Sequence, residues 1–209
     1  KKALSDARDP KDRAMAAEVM GYAADKRVVV QDLMVAVYDP EETVRNNAIR
    51  ALAVIAKFAR ANPELGIVVS PVPFIDLLNS LVWTDRNKAL FLLAELTRPR
   101  DPKLLRMIAE RAMPSLIEMG RWQNLGHAGF ALQILGRIAG LSDTEISSAI
   151  ARGGSLLVDG AIRRDSVLEE AAQGLRLVRA APLVTADDEP ADPGPVQQGC
   201  KHALDADVL

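Results

Sequence analysis

Cysteine, aromatic residues and long apolar runs are all scarce in this chain, and each scarcity removes a class of explanation. With one cysteine, Cys200, in 209 residues, no internal disulfide can staple the fold. That fits a reducing compartment such as the cytoplasm without requiring one, so localisation stays open. No apolar stretch approaches the roughly 18 residues a membrane span needs, and no signal-peptide pattern is visible; no membrane partner is expected. Aromatics make up only 4% of a composition that is 49% hydrophobic. The core must therefore be filled by Ala, Leu, Val, Ile and Met, side chains that let helices approach closely and that mostly favour helix. Strand-like alternation is missing, since Val28-Val29-Val30 runs on into helical spacing. The class that follows is all-α.

Sites for chemistry are equally sparse. His127 has no second histidine, cysteine or clustered carboxylate at ligand spacing, and Cys200-Lys201-His202 offers two ligands where zinc normally takes four. Arg152-Gly153-Gly154-Ser155 lacks the Lys-Ser/Thr and the preceding strand of a phosphate-binding loop. No nucleophile–base pair can be assembled. Catalytic residues, a metal and a cofactor are therefore not expected, and an enzyme is the weaker reading.

Charge is close to balanced, with 26 Lys and Arg against 28 Asp and Glu and a net of −2. The distribution is uneven. Residues 182–209 hold Asp187, Asp188, Glu189, Asp192, Asp205 and Asp207 against Lys201, a net of −5, which leaves +3 on residues 1–181. The spacing predicts a helical body over 1–181 and an acidic tail with Pro and Gly over 182–209. A body this close to neutral lacks the basic signature of a dedicated nucleic-acid binder.

Self-similarity organises the body. Asp9-Pro10, Asp39-Pro40 and Asp101-Pro102 each precede a helical pattern, with Asp suited to the N-cap and Pro to the first turn. Glu42, three after Asp39, predicts a capping box, as does Ser142-Asp143-Thr144-Glu145. The helices then superimpose in sequence: Arg13-Ala14-Met15-Ala16 on Arg45-Asn46-Asn47-Ala48 and Arg86-Asn87-Lys88-Ala89, with fainter copies around Ala131 and Ala171. Four residues after each shared alanine stands Met20, Leu52, Leu93, Leu135 or Leu175, predicted to fill the space between pairs. A partner helix precedes each copy: Val29 to Val37, Phe74 to Leu81, Leu104 to Ile117, and one starting at Ser142. Pro114 should break or kink the third of these, and Asn62 to Pro73 reads as an irregular crossover. The last helix is placed near 163–180.

Residues 39–52, Asp-Pro-Glu-Glu-Thr-Val-Arg-Asn-Asn-Ala-Ile-Arg-Ala-Leu, resemble the HEAT-repeat family. The resemblance implies a right-handed α-solenoid of about five helix pairs, with an Asp in each turn and an Arg on each second helix interacting along the stack. Asp9, Arg13, Asp39, Arg45 and Arg86 are the residues it assigns to that structural ladder. It also implies that second helices line the concave side. If Ala48, Ala51, Leu52 and Ile55 face inward, the outward row holds Asn46, Arg50, Val54 and Lys57, its first three matched by Ala14, Glu18 and Tyr22, by Asn87, Phe91 and Glu95, and by Gln133 and Arg137. This mixture suits a protein or peptide partner, so a non-catalytic binding or scaffold module is the reading, with Trp122 as a further anchor. Trp83 is expected to end an apolar helix and pack on the core.

Two alternatives come from the same resemblance. One is a nucleic-acid binder similar to HEAT-like DNA-repair glycosylases, with Arg98, Arg100, Lys103, Arg106 and Arg111 as its basic stretch. Against it stand the interspersed Glu95, Asp101 and Glu110, and nucleic acid is not the expected partner. The other is a lyase or chaperone for tetrapyrrole-bearing proteins, as among bacterial HEAT-like proteins. Lys1 aligns with Gln31, so the first helix begins partway along. The apolar faces of Met15, Val19 and Met20 are expected to be poorly sealed. Further repeats before Lys1, or another chain, are expected to cover them.

Overall fold

A computed structural model describes residues 1–152. The repeat copy at Ala171, the helix placed near 163–180, the boundary at 181/182 and the Cys200-Lys201-His202 triplet lie outside the described residues. Every regular element among the described residues is helical: α1 (Lys2–Asp6), α2 (Pro10–Met20), α3 (Arg27–Ala36), α4 (Glu42–Ala61), a 3-10 turn (Pro63–Leu65), α5 (Val72–Leu77), α6 (Trp83–Leu96), α7 (Pro102–Gly120), α8 (Leu125–Ile138) and α9 (Asp143–Ala151). They stack as antiparallel pairs, α1/α2, α3/α4, α5/α6 and α7/α8, with α9 opening the next pair. The architecture is an α-solenoid.

The shared small residues do what the repeat demands. Ala48, Ala89 and Ala131 are fully buried, as are Leu52, Leu93 and Leu135 four positions on. In the first copy the buried set shifts by one: Ala14 and Ala17 face inward with Met20, while Ala16 is half-buried. Each second helix packs on the second helix before it, α2 on α4 and α4 on α6, whereas α3 and α5 hardly meet. Close spacing along one row and wide spacing along the other bends a stack toward the closer row. The second helices therefore form the inner row, and α1, α3, α5 and α7 the outer one.

Helix starts follow cap chemistry in some places and depart from it in others. Asp9 accepts from the Lys11 amide and Asp101 from the Lys103 amide, with Pro at the first helical position in both. Ser142 and Glu145 form a reciprocal capping box at α9. The box expected between Asp39 and Glu42 is not formed: α4 starts at Glu42 with Glu41 at its N-cap, and the Asp39 carboxylate accepts from the Glu41 amide and from Arg13. Pro114 does not break its helix, and α7 runs unbroken through it. The proline is exposed, so its ring and the carbonyl it leaves unbonded face solvent rather than core. Leu81, expected on the apolar helix before Asp85, lies outside any helix and is fully exposed.

Candidate functional site: the face of the second helices

Three arginines at one repeat position join successive pairs. Arg13 donates through Nε and Nη2 to the Asp39 carboxylate at 2.8 and 3.0 Å, while its Nη1 bonds the Ala7 and Arg8 carbonyls. Arg45 repeats this with Asp85, its Nη1 reaching the Asp39 and Pro40 carbonyls at 2.9 Å. Arg86 forms a bidentate pair with Glu118. Arg13 and Arg45 thus each grip the chain ahead and a carboxylate of the next pair, which the planar fork of arginine makes possible. Arg86 bonds the carboxylate alone, and its Nε is enclosed without a partner. The Arg13 guanidinium holds the Asp39 carboxyl below its ordinary value, against the opposing effect of burial. Asp85 is a rung that sequence reading missed, because it adjoins Arg86 inside the first turn of α6 instead of standing six residues ahead. Asp9 is no rung: its carboxylate caps α2.

The outward row separates into exposed and covered members. Glu18, Tyr22, Arg50 and Lys57 are exposed, Tyr22 to 82%. Glu18, Tyr22, Arg50 and Val54 share a shallow groove between α2 and α4. Phe91 is partly exposed and meets Phe130 edge-on with centroids 5.3 Å apart. Gln133 is half-buried on α8. Glu95 receives Arg60 at 2.6 Å and Arg98 at 2.7 Å; burial pushes its carboxyl up, and the two arginines outweigh that and leave it below its ordinary value. Asn46 is half-buried, with its Oδ1 enclosed and without a hydrogen-bond partner.

Of the expected outward residues, Ala14, Asn87 and Arg137 are not on the surface. Asn87 is buried because α8 brings His127 over it, and its Nδ2 lies 3.2 Å from His127 Nδ1. Arg137 is buried as well. Its Nη1 donates to the Ala94 carbonyl and to Thr97 Oγ1 at 2.8 Å, capping the end of α6. Burial lowers its pKa, opposed by the Asp143 carboxylate. The close approach of α9 explains the enclosure: a Cβ on Gly136 would sit 2.5 Å from the Ile146 side chain.

Both tryptophans belong to another cluster, on the turns that join the two helices of a pair. Trp83 starts α6, contrary to expectation, and is 46% exposed. Its ring lies 6.2 Å from Trp122 and meets His127 edge-on at 4.9 Å, while the Arg86 guanidinium stands 5.6 Å over Trp122. Trp122 is half-buried at the α7–α8 turn. The basic stretch proposed for nucleic acid is largely neutralised: Arg98 pairs with Glu95, Arg100 with Asp143 and Arg111 with Asp76.

No family model and no curated protein matches the chain. Solved structures do. An engineered protein superimposes with a TM-score of 0.54 at 20% identity, over 85% of this chain and 77% of its own. A computationally designed armadillo repeat protein for modular peptide recognition gives 0.51 at 18% identity, over 84% and 79%. The chain is a helical repeat protein. A third similar structure, a designed armadillo repeat protein in complex with the peptide (KR)4, gives 0.50 at 15% identity, over 88% and 91%. At such identities the likeness concerns the fold of this repeat protein.

Proposed function

We propose that the chain is a HEAT-like, non-catalytic binding module whose inner row receives an extended segment of another protein. The observation that carries this reading is the row itself. Second helices pack directly on one another, and this face presents Tyr22, Arg50, Val54, Lys57 and Phe91, non-repeating side chains that lie outside the buried core. Residues spared from structural duty on a shared scaffold are where function sits. Two aromatics among charged groups match the composition of protein interfaces. The armadillo-like neighbours, one of them holding a peptide, fit a protein-binding repeat module. Two helices per repeat and an arginine linking each pair to the next favour the HEAT-like variety.

Peptides selected from a random library on the intact chain provide the test. Replacing Tyr22, Val54 and Phe91 together with alanine removes exposed contact area without opening the core. Selected peptides should then bind about tenfold more weakly or worse, as loss of interface anchors implies, while helicity is retained. Peptides that bind the variant as well as the parent would place the site elsewhere.

A further inference from the structure

The inner row carries cations that nothing in the described structure neutralises. The three ladder arginines and Arg60, Arg98, Arg100 and Arg111 each meet a carboxylate. Arg50, Lys57 and Lys88 meet none among the described residues. Arg50 and Lys57 stand seven residues apart on one face of α4, about 10 Å along its axis. Lys88, on α6, faces Arg50; its Nζ is 3.3 Å from Asn87 Oδ1, an amide that cannot cancel its charge. Glu95 sits between two arginines and leaves one positive charge in surplus. Among the described residues, Glu18 is a free carboxylate on this surface, at the α2 side of the groove. Holding like charges together, one of them half-buried, disfavours the empty state and favours whatever brings negative charge.

From this we propose that the α4–α6 part of the row takes an acidic peptide segment of a partner protein, its carboxylates received by Arg50, Lys57 and Lys88. The proposal rests on the peptide-binding reading above and adds the sign of the partner's charge. Burial, and then Arg50, hold the Lys88 ammonium below its ordinary pKa, a strain that a carboxylate lying between the two would relieve. Val54 and Phe91 flank the cations and offer apolar contact for the backbone and intervening side chains of a peptide. Closely spaced phosphates would leave that apolar surface unused, so protein is favoured over nucleic acid.

Fluorescence anisotropy with the intact chain and two labelled probes, (Asp-Glu)4 and (Lys-Arg)4, tests it. At about 50 mM salt (Asp-Glu)4 should bind at least about tenfold more tightly than (Lys-Arg)4, and at about 300 mM salt the difference should shrink through screening. Arg50→Glu with Lys57→Glu, both at exposed positions, should abolish the preference while leaving the circular dichroism unchanged; Lys88→Gln should weaken (Asp-Glu)4 by itself. Preferential binding of (Lys-Arg)4 that is lost on Tyr22→Ala and Phe91→Ala would keep the binding face and overturn the charge assignment. Binding of neither probe, together with library peptides indifferent to the same face, would remove both readings. Tighter binding of a DNA duplex than of (Asp-Glu)4 would also overturn the proposal. So would (Asp-Glu)4 binding only after the six acidic residues of 182–209 are changed to amides, which would assign the face to the chain's own end.

Discussion

Asp39, Asp85 and Glu118 receive the same kind of guanidinium in three different settings, so removing each should cost a different amount. The Asp85 side chain is 5% exposed and that of Glu118 is 61% exposed. Asp85→Ala leaves Arg45 half-enclosed without its partner, and chemical denaturation should show a loss of about 3–5 kcal/mol. Glu118→Ala removes a carboxylate that is itself open to water, so that water can take its place beside Arg86, and should cost about 0–1 kcal/mol. Equal losses would mean that the rungs do not bear load according to burial. Asp39 adds a pH dependence. Its carboxyl is held low by Arg13, so its stabilisation is complete above the ordinary carboxylate range and is lost as pH falls through the lowered value. Asp39→Asn should therefore flatten part of the acid limb of melting temperature against pH; an unchanged limb would contradict the pairing. Ala48 touches neighbours on all sides at full burial. Ala48→Leu should destabilise by about 1–3 kcal/mol through overpacking, and a neutral result would place it on the wrong face.

The helices were legible where their signal is local and obscure where distant residues decide. Asp9-Pro10, Asp101-Pro102 and Ser142 to Glu145 declare their helices because cap and first turn lie within four residues. Asp39 misleads because Arg13, 26 residues away, competes for the same carboxylate. The start of α6 at Trp83 has no capping side chain to announce it, and Ser80 instead receives the Val82 amide. Arg137 looked like a surface residue by helical spacing, yet its burial depends on the end of α6 and the approach of α9. Lys88 went unnoticed because it lies one register off the expected outward row, toward α4. Pro114 makes the α7 argument testable. Pro114→Ala restores an amide to the Glu110 carbonyl on an exposed face, and the melting temperature should rise by a few degrees, since a helix-interior proline costs up to about 3 kcal/mol. A fall would mean that α7 needs the proline's local geometry to pack.

A stack grows by repeating one interface, and the end at α2 shows that interface uncovered. Met15 and Val19 are 68% and 61% exposed. Their counterparts on α4 are Asn47, which bonds the Ala14 carbonyl of α2, and Ala51, which lies against Gly21. The α2 residues thus occupy stacking positions, although Met20, also expected to be open, is buried. Met15→Lys with Val19→Lys should change stability by no more than about 0.5 kcal/mol, as for other surface sites. The same pair should reduce self-association in sedimentation; no reduction would show that this end does not associate. The inner row matters more, because the account stands on its being the place where a partner binds. Amide and methyl chemical-shift mapping with a peptide selected on the intact chain tests that most directly. Shifts should concentrate around Tyr22 just past α2, Arg50, Val54 and Lys57 on α4, and Phe91 on α6. Shifts confined to the Trp83–Trp122 turns, or to the outer helices α3, α5 and α7, would contradict it.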